Sequence, residues 1–419
     1  MASGVDGGTT PPFDGSISRD TGAADVPNDI YDSPPPPDAS DFDASAGGDA
    51  GAPARLSVSL GLFHTCAALA DGTARCWGNN DFGQLGDGTT MGRVIPTLVP
   101  GIADVTDVFA GMQQTCVLHR DRTVSCWGAN DEGQLADGTT MTQLSAVRAT
   151  ALPGDVVDLA LGGIHSTSGI ELGHACSVHG DGTVRCWGAN SVGQLGDETT
   201  MDRIAPAVVA GISGARRIVA GLEASCALLS DGTVTCWGGN RWGELGTAPS
   251  TESMRTAPGP VAGVSGAIEL SAGLGHVCAL VSDGTLICWG VDVASASAGG
   301  LGILATTVES HLPTLLASPI TISAIGVGGT HTCVAWSDGT GGCFGNNQLG
   351  QLGDGTTARR TMLTPLAGGL PPLRAVRAGV AHTCAIATED RLYCWGFNMY
   401  GNLGDGTTTQ QLTPVLVPF

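Results

Sequence analysis

The sequence predicts an all-β chain: a seven-bladed β-propeller of four-stranded antiparallel blades, preceded by a disordered acidic N-terminal tail. Three observations carry this reading. All 14 cysteines fall into pairs ten positions apart. The stretch around the first pair, HTCAALADGTARCWGNNDFGQLGDGTT at 64–90, recurs, and its first cysteines follow one another at spacings of 50, 60, 50, 52, 55 and 51 residues. Repeats of this length, made of short strands and glycine-rich turns, build propeller blades. Residues 1–54 carry none of the repeat.

The tail has ten Asp, one Arg and the run Pro34-Pro35-Pro36-Pro37. Its few large apolar residues cannot bury enough surface to offset the entropy of ordering. It reads as a tether. It carries −9 of the formal net charge of −21, which leaves −12 on the propeller at 55–419.

Each repeat opens with an alternating run, 56–61 in the first copy, with counterparts at 105–111, 156–162, 215–221, 267–273, 322–328 and 373–379. This is strand A. The cysteine stretch supplies strands B and C. Cys66–Leu69 and Thr73–Gly78 flank a three-residue loop, Ala70-Asp71-Gly72. Such loops place one residue in the left-handed region, which favours glycine. Gly72, Gly182, Gly232, Gly284 and Gly339 stand there, with Arg122 and Asp390 in copies two and seven. That turn puts Cys66 opposite Cys76. By the same register Cys116 faces Cys126, Cys176 faces Cys186, Cys226 faces Cys236, Cys278 faces Cys288, Cys333 faces Cys343 and Cys384 faces Cys394. Opposed residues on paired strands lie within disulfide range. Disulfides are expected, with reduced buried thiols or a metal as the alternatives, although the spacing lacks the tightness of a zinc site. A loop and a short strand D, such as 97–100 or 207–210, complete the copy. The C-terminal run 413–418 is expected to pair into the blade begun by the first repeat, closing the ring.

The recurring strings AGxxHTCAL, DGTVxCWG and NxxGQLGDGTT resemble those of the regulator of chromosome condensation repeat family, over 55–419 and closest to its cysteine-paired bacterial members. That family places an aromatic-Trp-Gly after the turn. Here Trp77, Trp127, Trp187, Trp237, Trp289 and Trp395 are each followed by Gly, and Phe344 substitutes in copy six. The resemblance implies a seven-bladed ring. It also implies two activities as alternatives: guanine-nucleotide exchange on a small GTPase, or inhibition of a secreted enzyme.

Charge and composition narrow the partners. There are 39 acidic residues against 18 basic ones, all Arg. That balance argues against nucleic acid, which requires clustered cations. No apolar run reaches the length of a membrane span, and no signal segment opens the sequence. Seven disulfides would place the protein in an extracellular, periplasmic or cell-surface setting, with the cytoplasm as alternative.

The recurring polar residues read as structural. His64, His174, His276, His331 and His382 are expected to bond neighbouring backbone. The Trp residues are expected to pack between blades. Asp87, Asp137, Asp197, Asp354 and Asp405 are expected to cap turns. No nucleophile–base constellation emerges, so no enzyme activity and no cofactor are expected.

Departures from the repeat point to function, because insertions map to loops on one face. Residues 163–173 lengthen the A–B connection of copy three, and 291–313 replace the GQLGDG loop of copy five. Loops A–B and C–D emerge on the same face. His165, Glu171, Asp292, Leu301, Ile303, Glu309 and His311 are therefore candidate partner-binding residues. The expected function is that of a monomeric, non-enzymatic scaffold for a protein partner of unknown identity.

Overall fold

A computed structural model describes residues 55–163, 173–291 and 309–419. The expected tether at 1–54 lies outside the described residues. Seven four-stranded antiparallel sheets are present, each built from four consecutive strands. In blade 1, strands A to D are Ser57–Leu60, His64–Ala68, Ala74–Gly78 and Arg93–Leu98. Blades 2 to 7 follow at 105–148, 156–208, 215–260, 267–316, 322–365 and 373–416.

The hairpin register agrees with the sequence reading. Leu69 donates to the Thr73 carbonyl at 2.9 Å, and Cys66 stands opposite Cys76. The left-handed residue of each turn has φ between 58° and 84°, including Arg122 at 60° and Asp390 at 58°. All seven expected cysteine pairs are disulfides. Cys66 is bonded to Cys76, Cys116 to Cys126, Cys176 to Cys186 and Cys226 to Cys236. Cys278 is bonded to Cys288, Cys333 to Cys343 and Cys384 to Cys394. Their Cα–Cα distances are 4.0 to 4.1 Å. Each could stabilise the fold by on the order of 2 kcal/mol, since the loops they close are short.

Cysteines and tryptophans face opposite sides of a sheet and meet between blades. The core between blades 1 and 2 joins Cys66, Cys76, Leu85 and Val99 to Val105, Val108 and Trp127. All six tryptophans of the aromatic-Gly motif are fully buried. Each burial contributes a few kcal/mol by its area alone.

Two expectations need correction. Strand D starts earlier than its apolar residues suggest: it begins at Arg93 in blade 1 and at Arg203 in blade 3. The turn-capping aspartate holds that first residue, with Arg93 Nε 2.8 Å from Asp87 Oδ2. The C-terminal strand Gln411–Leu416 also does not cross into blade 1. It pairs with Leu392–Gly396 of its own repeat.

The reason lies in the C–D loop. The Asn80 side chain donates to the Thr89 and Met91 carbonyls at 3.0 and 3.1 Å and accepts from Leu85 N at 2.9 Å. This folds the chain back onto the edge it has just left. Asn398 does the same in blade 7, so that blade is complete without its neighbour. Ring closure is instead by loop and side-chain contacts: Gly406 N donates to the Val94 carbonyl at 3.0 Å. Arg374 donates to the Leu56 carbonyl at 2.6 Å, Trp77 donates to the Asn402 carbonyl at 3.1 Å, and Phe63 packs on Phe397 and Tyr400.

Candidate functional site

The A–B and C–D loops share one face, and its architecture consumes most of the recurring polar residues. His64 Nε2 lies 2.9 Å from Thr115 Oγ1 of the next blade. The Thr115 hydroxyl donates to the Gln84 carbonyl at 2.8 Å. Its hydrogen is thereby committed, so His64 Nε2 carries the proton and donates. The relay repeats from His174 to Ser225, His276 to Thr332, His331 to Thr383 and His382 to Thr65. Burial pushes the imidazoles down to about 3 in His64, His331 and His382, and to about 4 in His276, so they stay neutral. The expected partner, neighbouring backbone, is thus corrected to a hydroxyl of the following blade.

The exceptions pair up. Blade 2 has Gln114 in place of histidine, and blade 3 then has Ala175 in place of the hydroxyl. Blade 4 has Ala224, and blade 5 then has Val277. A hydroxyl stands only where a histidine faces it. That covariation within one chain was a legible signal for the relay.

The tryptophans use the same carbonyls. Trp127 Nε1 donates to Gln84 O at 2.8 Å, Trp237 to Gln194 O at 2.9 Å and Trp395 to Gln351 O at 3.0 Å. Blade 6 carries Phe344 in the tryptophan position, with no N–H to satisfy.

Seven glycines end the A strands and ring the mouth of the axis: Gly61, Gly111, Gly162, Gly221, Gly273, Gly328 and Gly379. A Cβ on Gly273 would lie 1.9 Å from the Gly328 carbonyl oxygen, which excludes any side chain. Deeper along the A strands lie Asp107, Asp158, Arg217, Glu269 and Arg377. Two of the carboxylates occupy edge N–H groups of the next blade: Asp158 accepts from Ile218 N at 2.8 Å and Glu269 from Ile325 N at 3.2 Å. Arg377 is 3.8 Å from Glu269, and Arg217 is 4.0 Å from Asp158. Burial raises all three carboxyls, Asp158 to about 6. Sequence reasoning missed this cluster, because its charged residues stand on separate strands far apart in sequence and form no motif.

Of the sequence-predicted binding residues, His165, Glu171, Asp292, Leu301 and Ile303 lie outside the described residues. Glu309 and His311 belong by their backbone to strand D of blade 5, Glu309–Leu316, where Glu309 pairs with Val291. The connection there is therefore shorter than 291–313. The two irregular connections start and end on blades 3 and 5, on either side of blade 4. Blade 4 itself departs from the repeat: Glu244 stands where blades 1, 2, 3 and 6 have Gln84, Gln134, Gln194 and Gln351.

Family models for the regulator of chromosome condensation repeat match residues 56–84, 105–134, 215–243, 267–292 and 374–402, and a second such model matches 71–118 and 389–419. The chain carries regulator of chromosome condensation repeats. These repeats are 28% identical to the ultraviolet-B receptor UVR8 of Arabidopsis thaliana over 374 residues, covering 87% of this chain and 70% of that protein. They are 27% identical to the human regulator of chromosome condensation, covering 58% of this chain and 62% of that one. Among solved structures, yeast RCC1 (Prp20) bound to Kap60 superposes with a TM-score of 0.71 at 21% identity, covering 87% and 85% of the two chains. Human WBSCR16 gives 0.71 at 20% identity, covering 83% and 94%. At these identities the structural likeness establishes the fold.

Proposed function

We propose that this chain is a non-enzymatic protein-binding scaffold that engages its partner through the A–B/C–D loop face. One observation carries the reading. The recurring histidines, asparagines, aspartates and tryptophans of the repeat are bonded within the fold, while the two irregular connections begin and end at A–B and C–D positions of blades 3 and 5. The candidate contact residues remain His165, Glu171, Asp292, Leu301, Ile303, Glu309 and His311. Relatives with these repeats include a receptor and a chromosome-condensation regulator, and a yeast relative is solved bound to Kap60. Seven disulfides fit an oxidising compartment, which supports a setting outside the cytoplasm.

The test is a pull-down with the full chain as bait, followed by affinity measurement on two sets of variants. Exchanging 164–172 and 292–308 for the regular connections of blade 1 should weaken binding and leave the melting temperature unchanged. Asp71→Ala and Asp231→Ala, in turns of the opposite face, should leave binding unchanged. The reverse pattern would move the site to the turn face. The resemblance to an exchange factor supports a second reading, regulation of a small GTPase. Accelerated nucleotide release from the recovered partner would establish it.

A further inference from the structure

The seam between blades 7 and 1 carries a cluster of apolar side chains open to solvent on the A–B/C–D face. Phe63 stands in the A–B connection of blade 1, and Phe397, Met399 and Tyr400 stand in the C–D loop of blade 7. The Phe63 ring lies 5.2 Å from Phe397 and 5.0 Å from Tyr400, and those two lie 6.0 Å apart. Phe63 and Phe397 are half-buried, while Tyr400 is 41% and Met399 73% exposed. Val94, exposed on the outer strand of blade 1, borders them: a Cβ on Gly401 would lie 2.7 Å from its Cγ1. Leu62, half-buried, stands between Phe63 and Gly61 of the axial mouth, a cavity of about 80 Å³.

The other copies build the same blade without these residues. At the position of Phe63 they have Gln113, Gly173, Glu223, Gly275, Thr330 and Ala381. At the position of Met399 stand Asp81, Asp131, Ser191, Arg241 and Gln348. The cluster is therefore a departure from the repeat that the fold does not require. Clustered exposed apolar side chains mark contact surfaces, and rigid aromatic rings are their usual anchors.

Charge selects what covers it. Of 27 acidic residues and 17 arginines among the described residues, three and two form the axial cluster, ten and nine lie toward the B–C turn face, and 14 and six lie toward the A–B/C–D face. The two faces thus carry formal charges of −1 and −8. A second copy would bring the same −8, and residues 1–54 bring −9, so both are repelled. An anionic lipid surface is repelled in the same way.

We propose that the seam between blades 7 and 1 binds a basic segment of a partner protein, one that seats an apolar side chain on Phe63, Phe397, Met399 and Tyr400. The inference rests on the protein-binding reading and adds the chemistry of the partner, at a contact across the ring from blade 4. Asp81 supplies a carboxylate beside the rings: its Oδ2 accepts from Asn79 Nδ2 at 2.8 Å, and Asn79 N donates to the Phe63 carbonyl at 2.8 Å. The ring faces accept a cation as well as an alkyl chain. The acidic face steers the segment in, and the apolar cluster holds it.

The test uses the full chain and, as probe, an acetylated and amidated heptapeptide of alternating arginine and leucine with a central phenylalanine. Binding is read by calorimetry. The triple variant Phe63→Gln/Met399→Asp/Tyr400→Glu takes all three residues from blades 1 and 2, so it should fold with an unchanged melt. Two of its changes add negative charge, so attraction by charge alone would tighten the probe; the expected result is at least a tenfold loss. Raising NaCl from about 50 to about 500 mM should also weaken the wild-type complex severalfold. No binding to the wild type, or unchanged or tighter binding to the triple variant, overturns the proposal. Equal binding of a probe with glutamate for arginine overturns the basic chemistry, and equal binding of one with serine for its apolar residues overturns the anchor. A wild-type dimer that the triple variant abolishes overturns the partner in favour of a second copy, and anionic phospholipid vesicles that bind only the wild type overturn it in favour of a membrane. A pulled-down partner that is lost on exchanging 164–172 and 292–308 but retained by the triple variant overturns this contact and leaves the scaffold reading standing.

Discussion

Thr115→Val tests the relay between blades. The Thr115 hydroxyl accepts from His64 Nε2 and donates to the Gln84 carbonyl. Valine fills the same space without the hydroxyl. The Gln84 carbonyl keeps a donor, Trp127 Nε1 at 2.8 Å, so it loses little. His64 Nε2–H loses its acceptor at a fully buried position. An unsatisfied buried donor costs about 1–3 kcal/mol, so the single change should destabilise by about 2 kcal/mol. His64→Ala removes the donor, and in that background Thr115→Val should cost roughly nothing. Ala224 facing Val277 is the native form of that double change. The assay is guanidinium unfolding of the four proteins, read as a double-mutant cycle. A coupling energy of about 1–2 kcal/mol is expected. Costs that add to within about 0.5 kcal/mol would refute the relay as a coupled unit.

Acidification should destabilise the protein. His64, His276, His331 and His382 have folded values pushed far below the ordinary 6.5, so the stability they contribute is present above 6.5 and is lost as pH falls toward about 3 to 4. Each contributes about 1.4 kcal/mol per pH unit in that window. Asp158, raised to about 6, and Glu244, raised to about 8, act in the opposite sense, their contribution being lost as pH rises through those values. Four histidines outweigh two carboxyls raised that far, so the melting temperature should drop between about pH 6 and pH 4.5; a flat profile would contradict the buried neutral imidazoles. Removing 413–419 should strip the outer strand from blade 7 and uncover the Leu392–Gly396 edge, together with the Phe419–Trp77 contact, so the shortened chain should aggregate or become protease-sensitive. An unchanged melt would show that the strand is dispensable. Protein purified without reductant should be lighter than the reduced chain by about two mass units per bridge, and free thiols in protein from its native host would remove the extracellular placement.

The periodicity was enough to determine the blades. A ten-residue cysteine spacing, a turn residue in the left-handed region and a parity rule put Cys66 opposite Cys76 and Trp77 on the other side of the sheet, because strand and hairpin geometry are local. The count of seven and the face shared by the A–B and C–D loops followed from repetition alone. Which groups join one blade to the next was decided by tertiary structure, and the sequence held only a trace of it in the joint loss of histidine and hydroxyl. The hydroxyl that meets His64 is 51 residues away, and the one that meets His382 is 317 residues away, across the closing seam. The outer strand of blade 7 returned to its own hairpin because an asparagine network folds the loop back, a preference that strand pairing rules do not contain.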